Sequence, residues 1–265
     1  MTIVDFEPFV AELAQVAGEA IMPFFRTALQ AQDKGGRGQF DPVTEADRAA
    51  ENAMRRLILS TFPAHGIVGE EFDDHQPEAE YVWVLDPIDG TKSFISGFPT
   101  WGTLVALEHN GVPVYGMMHQ PFTREKFFGD NARATWSGRN AHGTEIAHHL
   151  RVRDCATLAE ATVMTTSPLL LDGGERARFD ALAAQTKLTR FGGDCYSYCM
   201  VAAGHVDLVI ESGLKPYDIA ALIPIVKGAG GVVTTWTGGD AALGSAVVAA
   251  GDPRVHEAAL KLLAG

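Results

Sequence analysis

Cysteine is scarce in this chain. There are three, Cys155, Cys195 and Cys199, an odd number at spacings that fit no disulfide framework. No CxxC pair or spaced histidine cluster accompanies them, which argues against a zinc site; the nine histidines show no ligand spacing, and His148-His149 reads as a solvated loop pair. Free buried thiols in a reducing compartment are the expectation. Positive charge is also short: 21 Lys+Arg against 33 Asp+Glu leave a net charge of −12. Nucleic acid and anionic membranes are therefore disfavoured as partners. No apolar run approaches the roughly 18 residues of a membrane span. The opening MTIVDFEPFV has no basic stretch followed by an apolar one. The expected location is the cytoplasm.

What is present suits a globular chain. Over 265 residues, 46% hydrophobic and 20% charged content supports a large core, in one domain or two closely packed ones. Residues 5–26 carry Phe6, Phe9, Leu13, Val16, Ala20, Ile21 and Phe24 on one helical face, until Pro23 interrupts. Residues 32–40, QDKGGRGQF, read as a loop. Thr44 caps a second helix, with Asp47 three residues on as the capping-box acid. Residues 66–69 and 81–85 are apolar strands that end at Glu70-Glu71 and at Asp86. Asn110-Gly111 joins strands 103–109 and 112–118 in a hairpin, and short strands follow at 126–128 and 134–136. Beyond residue 150 strands and helices alternate: strands at 162–165, 206–210, 232–235 and 246–250, helices at 174–187, 195–203, 216–228 and 253–263. The whole reads as α+β followed by α/β, with a boundary near 150.

The acids at strand and helix ends carry the chemistry. In Asp86-Pro87-Ile88-Asp89-Gly90-Thr91 an apolar strand delivers Asp86, and Pro87 and Gly90 turn the chain so that Asp89 returns beside it. Two carboxylates and the Ile88 carbonyl are hard oxygen donors suited to Mg²⁺ or Mn²⁺. Glu70-Glu71 is a like-charged pair that a cation would relieve. Asp47 and Asp218 each occupy the first turn of a helix, where an acid is also favourable for the helix itself.

These residues resemble the inositol monophosphatase superfamily of Mg²⁺-dependent phosphatases. The resemblance rests on Asp33-Lys34, on Pro42-Val43-Thr44-Glu45-Ala46-Asp47, on Gly69-Glu70-Glu71, on Asp86 to Thr91, and on Tyr217-Asp218-Ile219-Ala220-Ala221 near Gly228-Ala229-Gly230-Gly231. Tyr217 stands where the family usually has Trp. The resemblance implies a layered αβαβα sandwich of the inositol monophosphatase (sugar phosphatase) type. It also implies a subdomain over 1–150 with most metal ligands and one over 151–265 with the substrate wall and the last ligand. Two or three Mg²⁺ ions, with Mn²⁺ as a substitute, would be held by Glu70, Asp86, the Ile88 carbonyl, Asp89 and Asp218. Thr91 with Glu70, or with Asp47, would orient the attacking water, and Lys34 could close over the phosphate as a lid. A homodimer is implied as well.

Substrate contacts map by the same resemblance to Asp89, Gly90, Thr91, Gly193, Asp194, Cys195, Glu211 and Asp218. An acid at Asp194 suits a cationic substrate better than a neutral polyol; Asp194 equally suits the cap of the helix near Cys195. The runs DKGGRGQFDPVTEADRAAE and ESGLKPYDIAALIPIVKGAGG are most like the superfamily's histidinol-phosphatases. The expected reaction is hydrolysis of histidinol phosphate in histidine biosynthesis. The alternatives are an inositol-1-phosphate or broad sugar-phosphate phosphatase, and a non-catalytic regulatory member, which should show gaps in the metal set.

Overall fold

A computed structural model describes residues 6–27, 32–33 and 42–264. Lys34, the expected lid residue, lies outside them. The elements run α1 (Glu7–Ile21), β1 (Gln32–Asp33), β2 (Pro42–Val43), α2 (Glu45–Thr61), β3 (Gly66–Gly69), β4 (Tyr81–Asp89), α3 (Thr91–Ile95) and β5 (Gly102–His109). Then come β6 (Val112–Gln120), β7 (Glu125–Gly129), β8 (Ala134–Arg139), β9 (Glu145–His149), β10 (Thr162–Thr165), α4 (Gly173–Ala183), β11 (Leu188–Phe191) and α5 (Asp194–Ala202). The chain closes with β12 (Leu208–Leu214), α6 (Pro216–Ile219), α7 (Leu222–Gly228), β13 (Val232–Thr235), β14 (Ser245–Ala250) and α8 (Pro253–Leu263).

Two sheets form. The first has seven strands in the order β3-β4-β5-β6-β7-β8-β9, antiparallel except for the parallel β3/β4 pair. The second has the order β11-β10-β12-β14-β13, with β10 parallel to both neighbours. α1 and α2 pack on one face of the first sheet, α5, α6 and α7 lie between the sheets, and α4 and α8 cover the far side of the second. This is the αβαβα layering expected.

The two-residue period of the strands builds it. In β4, Val82 and Val84 enter the core between the sheets, while Trp83 and Leu85 enter the core under α1 and α2. Leu104 and Ala106 against Val105 and Leu107 repeat the division in β5. The middle helices come very close to the first sheet. A side chain at Gly116 would run into the Ala221 carbonyl, and one at Gly129 into the Pro224 carbonyl.

Three local expectations are corrected, and one strand is added. Residues 216–228 are two short helices, α6 and α7, broken at Ala220-Ala221 because Pro224 has no N–H for the Ala220 carbonyl, and the backbone there packs against Gly116. His148-His149 belongs to β9, an edge strand with every residue exposed. β11, also an edge strand, went unread. The β4 strand runs on through Asp89 rather than stopping at Asp86.

Candidate active site

The continuation of β4 assembles the site. Asp86 pairs with Leu104 and Asp89 with Gly102, so three steps on β4 oppose two on β5. Residues three apart on a regular strand face opposite sides; the extra residue of this bulge turns both aspartates the same way. The bulge is pinned at three points. The Ile88 N–H donates to Asp86 Oδ1 at 3.0 Å, the Thr103 hydroxyl donates to the Pro87 carbonyl at 2.8 Å, and the Thr91 hydroxyl donates to the Ile88 carbonyl at 3.1 Å. The expected turn is thus a bulge; it brings Asp89 back beside Asp86, while the Ile88 carbonyl, expected to be free, accepts from Thr91.

Asp218 arrives from α6, where its Oδ2 accepts from the Lys215 N–H at 2.6 Å. One carboxylate oxygen from each of Asp86, Asp89 and Asp218 lies within 4.8 Å of the others. Glu70 follows β3, its N–H donating to the Leu85 carbonyl at 3.3 Å. It lines the same cavity, of about 190 Å³, with Ile88, Gly90, Thr91, Lys92 and Asp194. Its carboxylate is outside the three-acid grouping among the described residues.

Electrostatics make the cavity favourable to a cation. Burial pushes Asp86 well above the usual carboxylate range, helped first by Glu70 and then by Asp89, Asp218 and Asp47. Burial raises Asp89 in the same way, followed by the charges of Asp194 and Asp218, against an opposing bond from the Cys195 N–H to its Oδ2 at 2.7 Å. Asp47 sits behind the cavity. The Thr44 N–H and hydroxyl hold its Oδ2 at 2.9 and 2.5 Å in a complete capping box, while buried Oδ1 has no partner among the described residues. Burial lifts its pKa to about 7, with Glu71 and Glu70 adding to the shift. Clustered, partly buried carboxylates, with Lys92 the one cation among the described lining residues, form a hard donor set that fits Mg²⁺ or Mn²⁺.

On the opposite wall, Asp194 adopts a left-handed backbone with φ of +44°. It is the first residue of α5 and not its cap; Gly193, with φ of 110°, stands at the cap. The Asp194 carboxylate instead accepts from the Ser93 hydroxyl at 2.6 Å and the Thr100 hydroxyl at 3.2 Å. Gly90 makes room for it, since a Cβ there would sit 2.7 Å from Asp194 Cγ. Glu211 is buried, and it is not among the residues lining the cavity. It accepts from the Thr166 N–H at 2.6 Å and the Thr165 hydroxyl at 3.3 Å, and burial raises its pKa to about 7. Glu211 therefore meets the cavity through Thr166, which lines it.

Several residues went unread in the sequence. Ser93 and Thr100 hold Asp194, and Thr166 and Leu170 complete the wall. The Tyr198 hydroxyl is buried without a partner among the described residues, within the fields of Glu211, Asp89 and Asp218. Lys92, directly after Thr91, was the one legible signal among them, as a cation inside an acidic motif.

Comparison with known proteins agrees with this geometry. The model of the inositol monophosphatase family matches residues 5–264. The chain is 43% identical over 262 residues to the bifunctional phosphatase IMPL2, chloroplastic, of Arabidopsis thaliana, covering 95% of this chain and 72% of that protein. It is 36% identical over 228 residues to the histidinol-phosphatase of Chlorobaculum parvum, covering 86% and 84%. The solved inositol monophosphatase of Zymomonas mobilis superposes with a TM-score of 0.85 at 39% identity, covering 99% of this chain and 100% of that one. A match running nearly end to end, on a fold whose bulge gathers the acids of the family's signatures, means that the chain belongs to the inositol monophosphatase family.

Proposed function

We propose that this protein is a Mg²⁺-dependent phosphomonoesterase acting on histidinol phosphate. Asp86, Asp89 and Asp218, with Glu70 and the second lone pair of the Ile88 carbonyl, would hold the metal. When bound, the metal would supply Lewis-acid activation of water and neutralise charge on the phosphate. The chain's own groups do the rest. Glu70 and Thr91 line the cavity and orient the water, Thr91 from a hydroxyl anchored on the Ile88 carbonyl. Asp47, within the field of Glu70, would accept a proton through its buried Oδ1, which has no partner among the described residues. Lys92, the one cation among the described lining residues, would face the phosphate.

The observation that carries the substrate is Asp194. Its carboxylate lines the cavity, fixed by two hydroxyl donors, and offers negative charge to the alcohol side of the ester. Histidinol phosphate presents an ammonium and an imidazole there, and a neutral polyol presents neither. The similarity to a histidinol-phosphatase supports the same reading. A second reading, hydrolysis of inositol 1-phosphate, is favoured by the likeness to the Zymomonas mobilis inositol monophosphatase. Purified protein with Mg²⁺ should show kcat/KM for histidinol phosphate at least about 30-fold above that for inositol 1-phosphate, on the strength of one charge-assisted contact of about 2 kcal/mol. Chelator should abolish both activities. Equal or reversed preference would replace the first reading with the second.

A further inference from the structure

A cavity of about 460 Å³, more than twice the volume of the carboxylate cavity at about 190 Å³, opens between α1 and the outer strands of the first sheet. The two share no lining residue. Its charge is also of the other sign. Arg124, Lys126 and Arg139 line it. Arg139 is matched by Glu145, Nη2 to Oε1 at 3.5 Å. Arg124 and Lys126 have no ion-pair partner among the described residues. Glu19, the remaining acid of the lining, accepts from Gln15 Nε2 at 2.9 Å. In a chain of net charge −12, two unmatched cations at the mouth of one concavity mark a place for an anion.

The floor of the cavity adds a second requirement. His119 of β6 is only 7% exposed and lines it, and its buried Nδ1 has no hydrogen-bond partner among the described residues. The ring lies tight against α1, where a Cβ at Gly18 would come 3.1 Å from His119 Cε1. Burial and the Lys126 charge lower its pKa to about 4, against a backbone bond at Ala14 that favours the proton. The imidazole is therefore neutral at ordinary pH, and the nitrogen left over is an acceptor in want of a donor.

We propose that this cavity is a second ligand site, taking a small phosphoric or carboxylic acid that also carries a hydroxyl or amino hydrogen. The anionic group sits against Arg124 and Lys126, and the donor hydrogen meets His119 Nδ1. The metal-free active site, dense in carboxylates, repels the same anions.

The test is calorimetric titration of chelator-treated full-length protein with inorganic phosphate, with L-malate and with succinate, while the His119 Cε1–H proton resonance is followed by NMR. Phosphate or L-malate should bind with millimolar or tighter Kd and shift that resonance, the two arms separating phosphoric from carboxylic ligands. L-malate, which has the hydroxyl, should bind several-fold tighter than succinate, which lacks it. The Arg124→Ala/Lys126→Ala double variant should weaken binding at least tenfold and keep full Mg²⁺-dependent phosphatase activity, which reports that it is folded. Absence of binding by both acids, or binding undiminished in the double variant, overturns the site. Equal affinity for malate and succinate overturns the role of His119.

Discussion

Replacing Asp194 with Asn separates charge from shape at the substrate wall. At φ of +44° most side chains would be strained, but Asn tolerates the left-handed region as well as Asp does. Its amide oxygen can still accept from Ser93 and Thr100, which now donate at 2.6 and 3.2 Å, so the loop should hold its place. On the proposed function, what is lost is the negative charge facing a substrate cation. A hydrogen bond to a charged group contributes about 1.5–3 kcal/mol, which corresponds to a fall of roughly 10- to 150-fold in kcat/KM on histidinol phosphate. Inositol 1-phosphate has no cation to lose, so its kcat/KM should stay within about threefold, the ordinary scatter of a neutral contact. The variant has a second signature. Asp194 is the largest charge contribution, after burial, to the raised pKa of Asp89, so its neutralisation should raise Tm in the absence of metal. Steady-state kinetics on both esters and a melt in chelator provide the readouts. An equal loss on both substrates, or no loss on histidinol phosphate, would refute the charge argument.

Three further outcomes follow from the same geometry. Asp89→Asn should remove phosphatase activity and the stabilisation conferred by Mg²⁺, yet leave the circular dichroism intact and raise the metal-free Tm, because one of several crowded, partly buried carboxylates becomes neutral; full activity would sink the ligand assignment. Glu211 has a folded-state pKa of about 7 against an ordinary 4.5, so its contribution to stability is present at low pH and is lost as pH rises through that window. In chelator, Glu211→Gln should match the wild type near the low end and gain on it by about 1.4 kcal/mol per pH unit toward neutrality, as measured by urea denaturation; a gap that does not change with pH would show that the residue is not ionising there. Tyr198→Phe removes a buried hydroxyl that has no partner among the described residues and should leave stability unchanged or raise it by about 1 kcal/mol; a loss above that, seen as a lowered urea midpoint, would reveal a bond the hydroxyl makes in solution.

The layering came from the family resemblance, and individual elements were legible where side-chain pattern and burial coincide. The run YVWVL, the Asn110-Gly111 hairpin with both residues at positive φ, and the Thr44/Asp47 capping box all appear in the structure as read. β9 escaped because every one of its residues is exposed, leaving no inside–outside alternation to detect. α6 and α7 read as one helix although Pro224, which has no N–H to give the Ala220 carbonyl, stands where a helix must break; Gly116 packs against that break. Asp86, Asp89 and Asp218 stood out as strand-end and helix-start acids. Ser93, Thr100 and Tyr198 did not, since a lone hydroxyl gains meaning only from what it faces. Asp194 was legible as an acid at a helix start, but which of its two readings holds depends on Gly90, a hundred residues earlier, leaving space for the carboxylate.

The close approach of the middle helices to Gly116 and Gly129 also sets the order in which a refolding chain becomes competent. Asp86 and Asp89 lie on one strand and come together as soon as β4 and β5 zip up, a local hairpin-scale event. Asp218 joins them only after α6 and α7 have seated over those two glycines, bridging a sequence separation of well over 100 residues. If these acids hold the metal as proposed, metal affinity should therefore arrive late on the folding pathway. Magnesium added during refolding should leave the early phases untouched and act on the last one, which makes the ion a reporter for docking of the two sheets onto their shared helical layer.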